Sequence, residues 1–338
     1  MFNLTKKLLK PVSVSGREES VAGVIAEEIA PYADEVRIDP LGSVIAYRAG
    51  SGENKRKLMF AAHIDEIGFM VSYIEENGWI RFQTLGGINF ASAAFTAVIF
   101  ENGTRGVLVP EGGVGPADYR QEKFVVDIGA KNRKEAERRV SVGDTFAVEK
   151  NLWRLMGNRA AGRPLDDRIG AVILIEAAKR LAEAGGAYND TWFCFTVQEE
   201  VGCRGSKTAA YEVQPDVGVA LDVTRTGDTP GASPMAVSLG GGAAVKLKDS
   251  SVVCDRGLTD KMRALCEAEK IPYQLEVLAA GGTDTSSMQQ AAGGAAAGCI
   301  SIPTRYIHSS VETVDFGDVD ACAALTAALA RADLSEIC

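Results

Sequence analysis

Short apolar runs that each lead into a histidine or a carboxylate are the feature that most constrains how this chain can fold. Three such runs stand out: Lys57–Ala62 before His63, Thr191–Val197 before Glu199 and Glu200, and Val217–Leu221 before Asp222. Runs of this length are typical of strands buried inside a sheet. In open α/β sheets, ligand sites collect beyond the carboxyl ends of the strands. The pattern therefore predicts an α/β fold in which these polar side chains meet at one sheet edge.

Residues 68–150 differ in pattern from the rest of the chain. Short β-rich runs are separated there by Gly, Asn and Pro turns, and helical periodicity is weak outside Lys131–Arg139. Before and after this segment, helical and strand patterns alternate as in α/β proteins. We therefore predict one discontinuous α/β domain, formed by residues 1–67 and 151–338, which is interrupted by a small β module.

The first amphipathic helix is predicted to begin at a capping box. Ser15 and Glu18 have the required spacing, and the apolar residues between Val21 and Ile29 lie on one helical face. In such a box the two side chains bind backbone N–H groups at the start of the helix.

Composition and charge exclude several classes of protein. The formal net charge is −9 and no basic patch stands out, which argues against a nucleic-acid binder. No apolar run reaches the roughly 18 residues of a membrane span, and the N-terminus lacks the apolar core of a secretory signal. The seven cysteines include no CxxC pair, so neither a disulfide framework nor a thiolate zinc site is indicated. We expect a cytoplasmic protein.

The chain contains only two histidines, and both follow predicted strands. His63 ends the KLMFAA run, and His308 follows the ISIPTRY segment. A single histidine is more often structural than a metal ligand. Two histidines confined to strand ends favour a shared site.

Carboxylates occupy equivalent positions. Asp166 and Asp167 lie at the predicted start of a helix, where an aspartate can also serve simply as a cap. Glu199 and Glu200 follow a buried strand, so their like charges repel unless a cation is present. Together with Asp222 and the histidines, they offer the mixed donors that zinc, cobalt and manganese accept. Five ligands could hold two ions if one carboxylate bridges them, and a sixth, unligated glutamate could accept a proton from water.

Six ordered motifs resemble those of the tetrahedral-type aminopeptidases, a family that includes glutamyl and leucyl aminopeptidases of bacteria and archaea. The similarity covers nearly the full length, and the motifs are AHIDEIG, PLDDRIG, QEEVGCRG, ALDVTRTGDTP, GGTDTSSMQ and IPTRYIHSSVE. Two departures are Pro164, two residues before Asp166, and Cys203, at a position that is often aliphatic. The resemblance implies a zinc-peptidase-like mixed-sheet catalytic domain with helices on both faces, interrupted by a small β-barrel-like domain.

The resemblance also implies a role for each candidate residue. Five residues would bind two divalent ions per subunit: His63 and Asp222 one ion, Glu200 and His308 the other, and Asp166 both. Glu199 would be the catalytic general base, and Asp65 would orient His63. The ions would be zinc or cobalt, with manganese as a further candidate.

An aminopeptidase of this kind removes N-terminal residues from short peptides. By resemblance, its subunits would pair through the β module and assemble into a hollow dodecamer, in which that module also controls substrate access. Arg225 and Arg305 lie near the ligands in sequence and could pair with an acidic first side chain, and only Arg225 could discriminate among family members.

Three alternatives remain open from the sequence. A metal-dependent amidase or deacylase of N-acyl amino acids would use the same metals, and only dependence on a free substrate amine separates it from an aminopeptidase. An endoglucanase would need two carboxyl groups that face each other across the bond, whereas Glu199 and Glu200 are neighbours and point apart in extended chain. A non-enzymatic scaffold assembled through the β module would bind no stoichiometric metal.

Overall fold

A computed structural model describes residues 1–337 as a mixed α/β protein. The helices are α1 (Phe2–Leu8), α2 (Glu19–Ile29), α3 (Phe90–Ala93), α4 (Arg133–Ala136), α5 (Arg168–Glu183), α6 (Arg204–Val213), α7 (Arg256–Glu269), α8 (Thr285–Gln289) and α9 (Phe316–Arg331). The strands are β1 (Glu35–Ile38), β2 (Val44–Arg48), β3 (Lys57–His63), β4 (Gly68–Ile74), β5 (Ile80–Leu85), β6 (Thr96–Phe100), β7 (Arg105–Pro110), β8 (Phe124–Asp127), β9 (Thr145–Val148), β10 (Asn151–Arg154), β11 (Arg159–Arg163), β12 (Asp190–Thr196), β13 (Val217–Thr224), β14 (Ala243–Lys248), β15 (Tyr273–Val277), β16 (Ala296–Arg305) and β17 (Glu312–Asp315). Among these residues, no helix is both long and apolar enough to cross a membrane.

The larger sheet has eleven strands and a parallel centre. Its main order is β1-β2-β12-β3-β13-β16-β17-β11-β10, and β14 pairs with both β16 and β15. Strands β12, β3, β13 and β16 run parallel to one another, whereas β1–β2, β2–β12 and β16–β17 are antiparallel pairs. The carboxyl ends of the four central strands therefore meet at one edge of the sheet.

Helices cover both faces of this sheet because side chains alternate along its central strands. In β3, Leu58 and Phe60 point to the face covered by α2, α5 and α9, and they share one buried cluster with those helices. Met59 and Ala61 point to the opposite face and pack against α6 and α8. The sheet is thus buried on both sides, which explains why its central strands are nearly continuous apolar runs.

Strands β4 to β9 form a second, smaller sheet, which closes into a barrel where β4 pairs with β9. Its strand order is β4-β5-β8-β7-β6-β9, and closure leaves none of these strands as a free edge. Aromatic rings fill the interior: the Phe69 and Phe146 ring centroids are 4.9 Å apart, and those of Phe100 and Phe146 are 4.7 Å apart. The mixed sheet, its flanking helices and the closed barrel confirm the predicted fold class.

The predicted capping box before α2 is wrong. Glu18 is the N-cap residue of α2, but no side chain caps the helix. Ser15 Oγ instead donates to Asp65 Oδ2 at 2.6 Å, and Glu18 Oε1 accepts from the backbone N–H of Gly16 at 2.8 Å and from that of Gln198 at 3.0 Å. Ser15 and Glu18 are both buried. Polar groups that the fold buries nearby need partners, and this need overrides the local pattern.

Candidate active site

The six predicted ligand and base residues lie together at the carboxyl edge of the central strands. Each is positioned by the end of an element: His63 ends β3, Glu199 and Glu200 follow β12, Asp222 lies near the end of β13, His308 follows β16, and Asp166 lies between β11 and α5. All six line one cavity of about 480 Å³. The parallel arrangement of the strands thus brings together residues that are up to 245 positions apart in sequence.

Asp166 is at the centre of this group. Its Oδ1 lies 3.1 Å from His63 Nε2, and its Oδ2 lies 3.2 Å from His308 Nε2. His308 Nε2 is also 3.3 Å from Glu200 Oε1, and His63 Nε2 is 3.9 Å from Asp222 Oδ1. One carboxylate therefore faces two imidazoles through separate oxygens, and each imidazole faces a second carboxylate as well.

Asp167 both caps a helix and borders the site. Its side chain accepts from the backbone N–H of Gly170 at 3.2 Å, so the helix-cap interpretation is correct for this residue. A carboxylate oxygen of Asp167 also lies within 4.8 Å of donor atoms of His63 and Asp222. Of the two neighbouring aspartates, only Asp166 contacts both histidines.

Buried carboxylates crowd this edge of the sheet. Burial, reinforced by neighbouring carboxylates, raises the pKa of Glu199 and the pKa of Asp222 well above their usual range. Burial has the opposite effect on His308, but hydrogen bonds to Asp166 and Glu200 outweigh it and raise the His308 pKa to about 11. The protein groups alone thus favour bound protons here, and divalent cations could compensate the same negative charge.

Asp65 is fully buried behind the site and holds two parts of it together. Its Oδ1 lies 3.3 Å from His63 Nδ1 and accepts from the backbone N–H of Glu199 at 2.9 Å. Its Oδ2 accepts from the Ser15 hydroxyl at 2.6 Å and from the backbone N–H of Glu200 at 3.2 Å. Because Nδ1 of His63 faces Asp65, Nε2 faces the cluster, as in metal sites that use a carboxylate to orient a histidine.

Glu312 supports the site in a comparable way beside Asp166 and His308, and its role was not predicted from the sequence. Its Oε2 accepts from the backbone N–H groups of Leu165 at 2.6 Å and Asp166 at 3.1 Å. Its Oε1 accepts from the backbone N–H of His308 at 3.0 Å. Glu312 is the last residue of the IPTRYIHSSVE motif, and this membership of a motif was the only sign of its importance.

The two arginines considered for substrate recognition differ in their surroundings. Arg305 donates to both carboxylate oxygens of Asp228, at 2.7 and 3.2 Å, so its charge is already paired. Arg225 is exposed and lines the cavity that contains the cluster. Of the two arginines, Arg225 is therefore the one that lines the cavity of the cluster.

Solved structures with the same fold define the class of the chain as aminopeptidase. The aminopeptidase APDkam598 from the archaeon Desulfurococcus kamchatkensis matches with a TM-score of 0.94 and 35% sequence identity, covering 99% of this chain and 95% of that chain. The Pyrococcus horikoshii TET1 peptidase is described as able to assemble into a tetrahedron or a large octahedral shell. It matches with a TM-score of 0.88 and 32% sequence identity, covering 98% of this chain and 99% of that chain.

Sequence comparison identifies the family. The family model of the M42 glutamyl aminopeptidases matches residues 42–325. The lysyl aminopeptidase of Pyrococcus furiosus is 35% identical over 352 residues, which cover 99% of this chain and 97% of that protein. The chain therefore belongs to the M42 aminopeptidase family and is a hydrolase acting on peptide bonds, which confirms both the stated resemblance and the predicted enzyme class.

Proposed function

We propose that this aminopeptidase depends on two divalent metal ions held at the carboxyl edge of the central sheet. The observation that carries the proposal is the position of Asp166, whose two oxygens face His63 at 3.1 Å and His308 at 3.2 Å. A carboxylate that offers one oxygen to each of two imidazole-containing sites is suited to bridging two cations.

The donor set fits such ions on chemical grounds. Imidazole and carboxylate donors suit zinc, cobalt and manganese, and the cluster contains no sulfur ligand that would select a softer metal. The ligands would be distributed as the family resemblance implies: His63 and Asp222 on one ion, Glu200 and His308 on the other, and Asp166 on both. When bound, the ions would supply Lewis-acid polarisation of the peptide carbonyl and would make water a stronger acid.

Glu199 is the proposed general base because it lines the cavity but is not needed as a ligand. Cys203 Sγ donates to Glu199 Oε1 at 3.1 Å, which leaves Oε2 as the atom that accepts the proton of the attacking water. The same oxygen then delivers this proton to the nitrogen of the leaving amine. Asp65 is proposed as a positioning residue, since it accepts from the backbone N–H of Glu199 and its Oδ1 lies 3.3 Å from Nδ1 of His63.

The substrates are proposed to be short peptides with a free N-terminal amine. Carboxylates line the cavity, and an ammonium group is attracted to them, whereas an N-acyl group is not. The cavity of about 480 Å³ is of a size that holds small ligands. An N-acetylated peptide should therefore resist cleavage, and its rapid hydrolysis would favour a deacylase.

The chain is further proposed to form a homo-oligomer in which subunits pair through a domain at residues 68–150 and build a dodecamer. The closed barrel provides a compact unit that is distinct from the large sheet. The assembly described for the Pyrococcus horikoshii TET1 peptidase, at a TM-score of 0.88, supports this proposal. Light scattering that gives a monomer mass at working concentration would contradict it.

The decisive experiment compares Glu199→Gln with Glu200→Gln. We expect Glu199→Gln to retain both ions and the fold but to lose about 10²–10⁴-fold in kcat, the usual contribution of a general base. Glu200→Gln should instead lose metal, as measured by elemental analysis after gel filtration. Hydrolysis of aminoacyl chromogenic substrates with acidic, aliphatic and basic side chains measures turnover and reveals the preferred residue.

A Glu199→Gln enzyme with near-normal kcat would show that the base is assigned wrongly.

Arg225→Ala tests the substrate preference in the same panel of chromogenic substrates. If Arg225 pairs with an acidic first side chain, this variant should raise KM for glutamyl substrates while leaving KM for leucyl substrates unchanged. An unchanged ratio of the two KM values would show that Arg225 does not determine the preference for an acidic first side chain.

A further inference from the structure

A second group of potential metal ligands adjoins the proposed base. Donor atoms of Glu199, Cys203 and Asp284 lie within 4.8 Å of one another. One of these contacts joins Cys203 Sγ to Glu199 Oε1 at 3.1 Å. The group thus combines one thiol with two carboxylates, and neither Cys203 nor Asp284 belongs to the ligand set proposed above.

Asp284 brings a buried carboxylate to this group. The residue is only 2% exposed, and its Oδ2 accepts from the Thr196 hydroxyl at 2.5 Å. Its Oδ1 is buried and makes no hydrogen bond of good geometry among residues 1–337, although the nearby Ser206 side chain stabilises the charged carboxylate. A buried carboxylate oxygen without a well-formed hydrogen bond is costly, and a cation is one group that can compensate it.

The surroundings of Cys203 make its thiol less reactive rather than more reactive. Burial, with the nearby charges of Glu199 and Asp284, raises the pKa of Cys203, so the thiol keeps its proton when only protein groups surround it. A cysteine in such surroundings is a poor nucleophile. A thiophilic cation changes this, because it binds the thiolate directly and displaces the proton.

We propose that Glu199, Cys203 and Asp284 form a separate site for a thiophilic divalent cation, and that its occupation inhibits peptide hydrolysis. On binding, a metal–sulfur bond forms at Cys203 Sγ and the thiol proton passes to solvent, while Glu199 and Asp284 contribute carboxylate oxygens. Sulfur selects soft metals over hard ones, so Cd²⁺ or excess Zn²⁺ should bind and Mg²⁺ should not. The inhibition follows from the proposed function, because a cation on Glu199 prevents that carboxylate from accepting a proton.

A cadmium–thiolate bond provides a readout that is independent of activity. The five ligands of the proposed catalytic site contain only imidazole and carboxylate donors, so Cd²⁺ exchanging into that site creates no sulfur bond. An ultraviolet charge-transfer band on addition of Cd²⁺ to the metal-loaded enzyme therefore reports a cysteine. Cysteines at the core positions 194, 254, 266, 299 and 322 are buried, whereas Cys203 is half-buried beside the cavity.

The experiment titrates metal-loaded enzyme with Cd²⁺ and records absorbance and peptide hydrolysis together. The wild-type enzyme should gain one equivalent of cadmium–thiolate absorption in parallel with the loss of activity. Cys203→Ala should lose the band, and its inhibition constant for Cd²⁺, relative to its own uninhibited rate, should rise at least tenfold. Even loss of a residue that only supports a metal ligand costs about 10–100-fold in affinity.

Two further variants separate sulfur chemistry from general disturbance. Cys203→Ser keeps a hydroxyl beside Glu199 but removes sulfur, so it should behave as Cys203→Ala does. Cys254→Ala removes a buried cysteine, 8% exposed, and should keep both the band and the inhibition. A band that persists in Cys203→Ala, or Cd²⁺ binding at Cys203 without inhibition, would overturn the proposal.

Failure of this proposal can be told apart from failure of the proposed function. If Glu199→Gln is inactive but wild-type enzyme shows no cadmium–thiolate band, the base assignment stands and the second site is refuted. If Glu199→Gln remains active while the band appears and depends on Cys203, the site binds the cation but inhibition through the base is refuted. A parallel titration with Mg²⁺ should produce neither band nor inhibition.

Discussion

Glu312 offers the most direct test of how the proposed metal site is held. Its carboxylate accepts three backbone N–H groups, from Leu165, Asp166 and His308, and so fixes the backbone beside two proposed ligands. Glu312→Gln preserves size but replaces one acceptor oxygen by an NH₂ group. If the amide oxygen serves Leu165 and Asp166, the NH₂ group faces the His308 N–H, and that hydrogen bond is lost.

The size of the effect follows from these three contacts. A hydrogen bond to a charged group contributes about 1.5–3 kcal/mol and a neutral one about 0.5–1.5 kcal/mol, so the gross loss is about 4–6 kcal/mol. Burial and the nearby Asp166 raise the pKa of Glu312 to about 7, so the charged form is costly and the amide recovers part of this loss. We expect the free energy of unfolding to fall by about 1–3 kcal/mol and zinc affinity to fall about 10–100-fold.

Urea denaturation in the presence of a chelator measures the free energy of unfolding, and competition with a chromogenic chelator measures zinc affinity. Asp318→Asn is the matched control, because Asp318 is also buried and accepts from the backbone N–H groups of Gly240 and Gly242, both at 2.7 Å. This control should lose stability but retain zinc affinity. The reasoning is refuted if Glu312→Gln loses no more zinc affinity than Asp318→Asn, or if its unfolding free energy is unchanged.

Three further outcomes are expected. Chelation should lower the melting temperature and metal add-back should restore it, because ions that bind only the folded state add about 2.7 kcal/mol at 100 times their Kd; identical melting curves would argue against a resident metal. Ser15→Ala removes the hydroxyl donor to Asp65 and should cost about 1.5–3 kcal/mol in urea denaturation, unless water replaces the hydroxyl. Burial raises the pKa of Asp318 from its ordinary 3.8 to about 6, so the contribution of Asp318 to the free energy of unfolding should decrease as pH rises from about 4 to 6. Asp318→Asn lacks that slope and should be less destabilised, relative to wild type, at pH 7 than at pH 4.

The strand-end pattern predicted most of the architecture because burial on both faces leaves a strong sequence signal. The run before His63 is β3 and the run after Thr191 lies in β12, and both belong to the parallel centre. A strand buried on both faces must be apolar throughout, so its polar terminus is conspicuous. The same reasoning located Asp222 and the two glutamates.

The supporting residues could not be predicted because their roles depend on contacts between distant parts of the chain. Glu312 contacts Asp166 across 146 positions, and Glu18 contacts Gln198 across 180. Nothing in the immediate sequence of either glutamate requires such a partner. Ser15 and Glu18 even have a local spacing that predicts a different arrangement, and the burial of polar groups decides against it.

Asp65 and Glu312 are the residues through which the fold itself organises part of the site. Asp65 binds the backbone of Glu199 and Glu200, and Glu312 binds the backbone of Asp166 and His308. Asp65 therefore joins its own segment, which carries His63, to Glu199 and Glu200, and Glu312 joins the segments of Asp166 and His308.

The ligands differ from these supporting acids in one physical respect. Asp65 and Glu312 accept backbone hydrogen bonds from residues 199, 200, 165, 166 and 308, whereas Asp166 and Glu200 face the Nε2 atoms of histidines, and burial raises the pKa of Asp222. Folding thus gives the supporting acids backbone partners and crowds together the carboxyl groups that line the cavity, where divalent cations could compensate them. A cation that enters need not order these segments, so its affinity should depend on the charge of the cluster more than on loop closure.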